Sequence, residues 1–435
     1  MEKNVGVGIV GLGNVGSGTL QILVENGDRI AEKLGFRLTV KALCSLEIQT
    51  QKLPGGLDGA LKTTDWRQVV AHPEVDIVVE VVGGTTVARE IMETAIDHGK
   101  SVVTANKELM ALYGAALWER AIAAGVNIAM EASVAGGIPI HTVLREGISG
   151  DRVIALLGIL NGTSNYILTE IESKGRPFPE VLADAQRLGY AEANPSADVD
   201  GFDARSKLAI LSALAFGLRI TPSDIYTEGI RRITPFDFQY AHRLNHTIRL
   251  LCAARQSPAG LVLSVRPALI PENTILASVR GAYNAVWVRG VYGEDTFYYG
   301  RGAGSRPTGV AVVSDLMRVA REIRRGSPDR VSPFAHERLG EYQPVPVTVQ
   351  KSAYYLRFRV KDRPGIIAAL AGILAEKRIS LDAVLQLPCE TKDNLPFVIT
   401  LEPSAEQAVR EAVQQMESLD FMVEPPLALP MEKAL

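Results

Sequence analysis

Two lysines and a run of carboxylates are the residues best equipped for chemistry. The stretch Gly189-Tyr190-Ala191-Glu192-Ala193-Asn194-Pro195-Ser196-Ala197-Asp198-Val199-Asp200-Gly201-Phe202-Asp203-Ala204-Arg205-Ser206-Lys207 reads as a turn-rich acidic loop entering a helix from about Asp203 to Leu218. Asp203 and Lys207 are four apart and share one helix face. On a solvated helix such a pair is worth roughly 0.3–0.5 kcal/mol. Here Glu192, Asp198, Asp200 and Asp203 converge on one lysine, and the nearly all-apolar helix beyond it should hold its own start against a core. That is a setting for proton transfer. A second lysine, Lys107, closes Thr104-Ala105-Asn106-Lys107 after a short apolar strand, and Asn161-Gly162-Thr163-Ser164-Asn165-Tyr166 follows another strand, Ile154 to Leu160.

These groups need a scaffold, and the N-terminal half supplies one. Val5 to Val10 is a β-branched apolar run of the kind that forms a buried parallel strand. It enters Gly11-Leu12-Gly13-Asn14-Val15-Gly16, and a helical pattern follows through Leu20, Ile22, Leu23 and Ile30. Strand, GxGxxG and helix in that order form the dinucleotide fingerprint, with free N–H groups at the helix start for phosphates. Further strands are expected at Leu38 to Leu43, Ile77 to Val82 and Ser101 to Thr104, giving a doubly wound α/β sheet. Ligands of such sheets sit beyond the carboxyl ends of the strands. Those ends carry Ser45, Gly83, Thr85 and Asn106. The second strand ends in Leu43-Cys44-Ser45-Leu46, without the acid that grips the ribose of NAD and without an arginine for a 2′-phosphate, so the reading leans to NADP and leaves NAD open.

With 435 residues, two or three domains are expected. A net charge of −3 argues against nucleic acid or an anionic membrane as partner. Cys44, Cys252 and Cys389 are sparse and outside any CxxC spacing, which points to a reducing, cytoplasmic setting. The N-terminus runs almost directly into the first strand, so no leader is expected, and the longest apolar stretch, around Leu208 to Leu218, is too short for a membrane span.

The Gly189–Lys207 loop resembles, almost residue for residue, the signature of the homoserine dehydrogenase family. The likeness extends to GLGNVG, VVTANK, EASVAGGIPI (Glu131 to Ile140), NGTSNYIL, and Gly302-Ala303-Gly304 with Pro307-Thr308, and spans about residues 5 to 320. It implies reversible NAD(P)H-dependent reduction of L-aspartate 4-semialdehyde to L-homoserine, on the route to threonine, methionine and isoleucine. It also implies an NAD(P)-binding Rossmann domain at 1–138, completed by 302–325, and an α/β substrate-binding, catalytic and dimerisation domain at 139–301. Gly11, Gly13, Asn14, Val15, Gly16, Ser45, Gly83, Thr85, Thr104, Asn106, Lys107 and Gly302 would then face the cofactor. Glu192 and Asp203 are candidates for the substrate ammonium, with Asp198 beside them, and Thr163, Gly162 and Tyr190 for its carboxylate. Lys207 takes the proton-donor role by analogy, Lys107 stabilises the oxyanion or assists transfer, and Asp203 completes the catalytic set. Main-chain carbonyls of Glu131, Val134, Gly136 and Ile138 would hold a monovalent cation such as sodium.

Residues 326–350 are rich in proline, glycine and charge and read as a linker. From 351 to 435 the pattern is βαββαβ, a ferredoxin-like order. Its strands are expected around Leu356 to Val360, Ser380 to Leu387, Phe397 to Leu401 and Leu419 to Val423, with helices after Asp362-Arg363-Pro364-Gly365 and at Ala405 to Met416. This region resembles an ACT regulatory domain. Such domains pair edge to edge and bind small amino acids, which implies a homodimer or homotetramer and an effector, threonine being the natural candidate. Gly365 would leave room for its carboxylate, and Asp382 and Gln386 are candidates for its ammonium or hydroxyl. Two other readings stay open: a dehydrogenase acting on a different amino-acid carbonyl, and a catalytically silent amino-acid sensor.

Overall fold

The computed structural model describes residues 4–326, 332–387 and 392–433. Contacts divide the chain into two units: Met1–Leu156, Ser206–Asp224 and Asn284–Tyr342 form the first, and Leu157–Arg205, Ile225–Tyr283 and Gln343–Leu435 the second.

In the first unit β1 (Val5–Val10), β2 (Leu38–Cys44), β3 (Leu61–Thr63), β4 (Ile77–Glu80), β5 (Ser101–Thr104) and β6 (Ile128–Ala129) line up as β3-β2-β1-β4-β5-β6, all parallel. Strand order reverses between β1 and β4, so these strands open a crevice at their carboxyl ends. Every residue of β1, β4 and β5 is buried, because helices cover both faces. The helix Ser305–Arg325 returns from late in the chain to pack on Asn14–Glu25, and its Val312, Leu316 and Val319 join Ile9 and Leu20 in one core. Truncating Leu316 to alanine there would cost about 2–5 kcal/mol.

β7 (Val153–Ile159) carries the chain from the first unit to the second. In the second unit β8 (Tyr226–Thr227) pairs parallel with β10 (Gly260–Pro271), which forms a long hairpin with β9 (His246–Ser257). A further hairpin, β11 (Tyr283–Gly290) with β12 (Asp295–Arg301), leads back to the first unit. The C-terminal strands β13 (Lys351–Val360), β14 (Leu381–Leu385), β15 (Leu395–Ala405) and β16 (Leu427–Met431) form an antiparallel sheet in the order β16-β13-β15-β14, the ferredoxin-like arrangement.

Two expectations change here. The last strand is Leu427–Met431, not Leu419 to Val423. Phe421 is apolar because it plugs the core from a turn, and Leu427 and Leu429 are the alternating buried residues of the true strand. Nor is 326–350 a free linker. Phe334 is buried against Gly114, Gly340 exchanges backbone hydrogen bonds with residues 217 and 219, and Val345 bridges to Val262. Residues 327–331 lie outside the described chain. β16 also meets β10 in parallel at Met431 and Leu269, so one sheet runs from β9 through β10, β16, β13 and β15 to β14. Buried ion pairs tie the same join. Arg357 meets the fully buried Asp237, which also accepts from the Tyr355 hydroxyl at 3.0 Å, and Arg266 meets Glu406 at 2.7 Å. Among the described residues no helix is long and apolar enough to cross a membrane.

Candidate active site

At the nucleotide end of the first unit, the glycine loop is shaped by backbone crowding. A Cβ on Gly16 would lie 2.0 Å from the Gly11 carbonyl oxygen, and one on Gly11, at φ 100°, would lie 2.6 Å from that of Val81. Gly13 is different: nothing lies within 4 Å of where its Cβ would stand. The helix Asn14–Glu25 starts with neither a capping side chain nor an acid in its first turn, so its N–H groups and positive dipole end suit a pyrophosphate. Val15 packs into the core behind the loop, and Gln51 braces it by donating to the Leu12 carbonyl at 2.5 Å. At the end of β2, Ser45 accepts the Glu47 N–H at 3.3 Å and Leu46 is exposed.

A buried network fixes the next two strand ends. Glu80, fully buried, accepts from the Thr104 hydroxyl at 2.7 Å and from the Val82 N–H at 2.9 Å. Burial raises its pKa, and these hydrogen bonds oppose the rise. Thr104 in turn accepts the Asn106 N–H at 3.0 Å. Asn106 donates to the Gly84 carbonyl at 2.7 Å and caps the helix Lys107–Ala124 through the Leu109 N–H. Thr104 is therefore a positioning residue, its side chain shut away from solvent. Glu80 escaped the sequence reading; the available signal was a carboxylate closing an otherwise apolar strand. Thr85 sits at the cap of the next helix without a side-chain bond, after Gly83 at φ 79°. Lys107 is the first residue of its helix, half-buried. A cation at that end of a helix is unfavourable by about 0.3–1 kcal/mol, so helix stability does not account for it.

The Glu131–Ile138 loop is buried except for Gly137, with Ala135 and Gly136 both left-handed. Gly136 faces the Gly302 backbone, where a Cβ would fall 2.7 Å from the Gly302 carbonyl carbon, and Gly302 itself is wedged against Asn284. The Glu131 carboxylate is taken up by the His141 N–H (2.9 Å), the Thr142 N–H (2.9 Å) and the Thr142 hydroxyl (2.6 Å). Only main-chain oxygens are then left to the proposed cation, and that of Ile138 already accepts the Ile140 N–H at 2.8 Å. Among the described residues no cluster of His, Cys, Asp or Glu suits a metal ion.

In the second unit Asn161 is the hub. It caps the helix Gly162–Lys174 by accepting the Ser164 N–H at 2.7 Å, and its amide donates to Asp198 (2.6 Å) and to Asp203 (2.9 Å). Ser164 adds a bond to the Asp198 carbonyl at 2.7 Å. Two carboxylates are thus gathered on one neutral side chain, one of them, Asp203, buried. Thr163 donates to the Tyr190 carbonyl at 2.7 Å, the Tyr166 and Tyr190 rings pack at 4.8 Å, and Gly162 passes close to the Ala282 carbonyl. Glu192 is exposed, and Gln186 holds its carbonyl at 2.9 Å. Asp200 departs from expectation: it forms a two-point ion pair with Arg231 (2.6 and 2.9 Å) rather than joining the other carboxylates. The helix Phe202–Phe216 carries Asp203 in its first turn and the buried Lys207 one turn later.

Residues 139–317 match the family profile described as homoserine dehydrogenase, 11–131 that of the homoserine dehydrogenase NAD binding domain, and 354–421 that of the ACT domain. The homoserine dehydrogenase of Pseudomonas aeruginosa is 42% identical over 435 residues, covering 99% of each chain. The chain belongs to the homoserine dehydrogenase family. Its members are oxidoreductases, and a nicotinamide cofactor is common to the reading of sequence and fold. A crystal structure of a homoserine dehydrogenase from Thiobacillus denitrificans is 43% identical, with a TM-score of 0.93 over 99% of both chains. A hyperthermophilic archaeal homoserine dehydrogenase solved with NADPH is 27% identical, with a TM-score of 0.62, and covers 73% of this chain.

In the ACT domain, Gly365 has φ 94° and opens the helix Ile366–Glu376, which has no side-chain cap. Nothing lies within 4 Å of where its Cβ would stand. Asp382 accepts from the Thr400 hydroxyl at 2.8 Å, and Gln386 is exposed beyond the end of β14.

Proposed function

We propose that the protein interconverts L-aspartate 4-semialdehyde and L-homoserine on the way to threonine, methionine and isoleucine, using NADPH at least as well as NADH. The observation that carries the substrate side is the Asn161-held pair Asp198 and Asp203, a ready seat for an ammonium group, with Glu192 exposed on the same loop. Thr163, Gly162 and the Tyr190 backbone receive the substrate carboxylate. Gly13, the first turn Asn14–Gly16 and the turns at Ser45, Gly83, Thr85 and Asn106 hold the nucleotide. The lack of an acid at Ser45-Leu46, and the NADPH bound by the archaeal relative, favour NADPH.

Bound dihydronicotinamide supplies the hydride to the aldehyde carbon. The oxygen then gains negative charge and needs one proton, which Lys207 donates in this reading. Lys107 stabilises the developing charge, and Asp203 balances the cations. A monovalent cation such as sodium, held by main-chain oxygens of Glu131, Val134, Gly136 and Ile138, steadies the Gly136–Gly302 contact. The buried thiols of Cys44 and Cys252 suit a reducing cytoplasm. The edge strand β14, with Leu381 and Val384 exposed, fits edge-to-edge pairing into a homodimer or homotetramer. Threonine bound at Gly365, Asp382 and Gln386 on that edge would provide feedback control.

Nicotinamide absorbance with L-homoserine, and with the semialdehyde in reverse, tests the activity. Lys207→Ala and Lys107→Ala should each lower kcat by at least about a hundredfold, and Lys207→Ala should leave the cofactor KM near normal. Near-normal turnover in either variant would remove that lysine from the mechanism.

A further inference from the structure

Asn161 holds the acidic loop from its buried side, through Asp198 and Asp203. A second grip closes on the same loop from the solvent side, within the second unit. Arg231 donates to both carboxylate oxygens of Asp200, at 2.6 and 2.9 Å, and reaches the Ser196 hydroxyl at 3.2 Å. The Ile230 N–H donates to the Val199 carbonyl at 2.8 Å. Gly229 lets the two backbones meet: a Cβ there would lie 2.4 Å from the Val199 carbonyl oxygen and 2.7 Å from Asp200 Cα. From the loop side Gly201, at φ 84°, faces Thr227 and Val265, where a Cβ would lie 3.1 and 3.3 Å from their methyl carbons. Asp198 and Asp203 stand on either side of this clamped Val199–Gly201 turn.

A clamp positions a loop only as well as it is itself anchored, and this one is fixed at both ends. The Glu228 N–H donates to the Val265 carbonyl at 2.8 Å, continuing the pairing of β8 with β10. At the other end Arg232 donates to the carbonyls of Pro425 (2.6 Å) and Pro426 (3.0 Å), just before β16. Its own carbonyl accepts from the buried Arg357 of β13 at 3.1 Å. The segment 228–232 is therefore held by β10 and by the ACT strands.

Folding stability does not account for Arg231. Its side chain is 44% exposed, and an ion pair that open contributes little to stability. What the planar guanidinium adds is direction, since its two parallel hydrogen bonds fix where the carboxylate points. Those bonds hold the Asp200 carboxyl below its ordinary pKa, so it is ionised at neutral pH. Released from Arg231, it would be a third ionised carboxylate on a loosened loop beside Asp198 and Asp203. We infer that Arg231 is a positioning residue: through Asp200 it holds the turn that presents Asp198 and Asp203 to the substrate ammonium. The inference rests on the reading of that pair as the ammonium seat.

Steady-state kinetics of the full chain with L-homoserine, joined to amide hydrogen exchange, test this. Arg231→Gln should raise the L-homoserine KM at least about fivefold, with kcat within about threefold and the cofactor KM unchanged. Its thermal midpoint should stay within about 2 °C of the parent, because the lost pair is exposed. A general loosening of the fold would not spare melting and cofactor while weakening the substrate alone. Arg231→Lys keeps a single donor and should recover most of the loss. Asp200→Ala should match Arg231→Gln, and the double variant should be no worse than either, because both cut one link. Exchange across residues 196–201 should quicken at least about fivefold in Arg231→Gln and Asp200→Ala. A normal L-homoserine KM or unchanged exchange in folded Arg231→Gln, or additive losses in the double variant, overturns the inference and leaves the substrate reading standing. A parent enzyme that does not oxidise L-homoserine removes that reading, and the inference with it.

Discussion

The chain opens a helix with a glycine turn twice, at Gly11–Gly16 in the first unit and at Gly365 in the ACT domain, and the two turns need glycine for different reasons. Gly11 and Gly16 are glycines because protein backbone lies where their Cβ atoms would go. Gly13 and Gly365 face open space, and neither helix start has a side-chain cap. Packing is thus enforced at two positions, and room is kept for a ligand at two others. The sequence shows only glycine in all four places.

Single alanine substitutions separate these roles. Gly16→Ala should have the largest effect: the Gly11 carbonyl cannot move without moving β1, and overpacking of this kind costs about 1–3 kcal/mol or more. Thermal unfolding should fall by several degrees, and activity should be lost with it. Gly13→Ala meets no protein atom, so it should unfold like the parent while its NADPH KM rises at least about tenfold. Equal effects on melting and KM in the two variants would erase the distinction.

A smaller effect is expected at the second turn. Gly365→Ala should cost about 1–2 kcal/mol, since φ 94° disfavours any side chain. Gly365→Asp adds a charge against the proposed effector carboxylate and should abolish inhibition by threonine while kcat without threonine holds. Rates against threonine concentration decide it; unaltered inhibition would move the effector away from this helix start. Deleting the ACT domain is a poorer test than the sequence suggests. It would strand Asp237 without Arg357 and Arg266 without Glu406, all buried, and breaking such pairs costs about 3–5 kcal/mol.

The nucleotide-binding sheet was legible because its strands are buried on both faces and read as unbroken apolar runs, and because GxGxxG follows the first of them. The acidic loop was legible as a motif. Its wiring was not: nothing in the local pattern pairs Asp200 with Arg231, thirty-one residues on, or shares the Asn161 amide between Asp198 and Asp203. Phe421 and Met422 imitated a strand because burial from a turn and burial from a strand leave the same residue types. Glu80 went unread inside the expected strand Ile77 to Val82, although it is the acceptor that holds Thr104 and so shapes two turns.

The last test, whose net effect in the parent nearly cancels, asks whether crowding in the first unit extends to its charges. Asp315 is buried beneath the Glu131 loop, where it accepts the Glu131 N–H at 2.8 Å and lies 3.8 Å from Arg318; burial pushes its carboxyl up to about 6. His141 is buried on the other side of Glu131, with both ring nitrogens unpartnered among the described residues, and burial, opposed by Glu131 and aided by Arg145, lowers it to about 4. Their linkage signs oppose. Unfolded Asp315 loses its proton near 3.8 and folded Asp315 near 6, so its contribution to stability falls as pH rises through that window. Unfolded His141 is protonated below 6.5 and folded His141 only below about 4, so its contribution rises with pH. Each displacement is worth up to about 3 kcal/mol, and the two nearly cancel between pH 4 and 6. Relative to the parent, Asp315→Asn should therefore gain stability as pH rises from 4 to 6, and His141→Leu should lose it. The double variant should differ from the parent by an amount independent of pH. Urea midpoints at several pH values for the four proteins measure this directly; single-variant profiles parallel to the parent would mean that neither group titrates in the window its burial predicts.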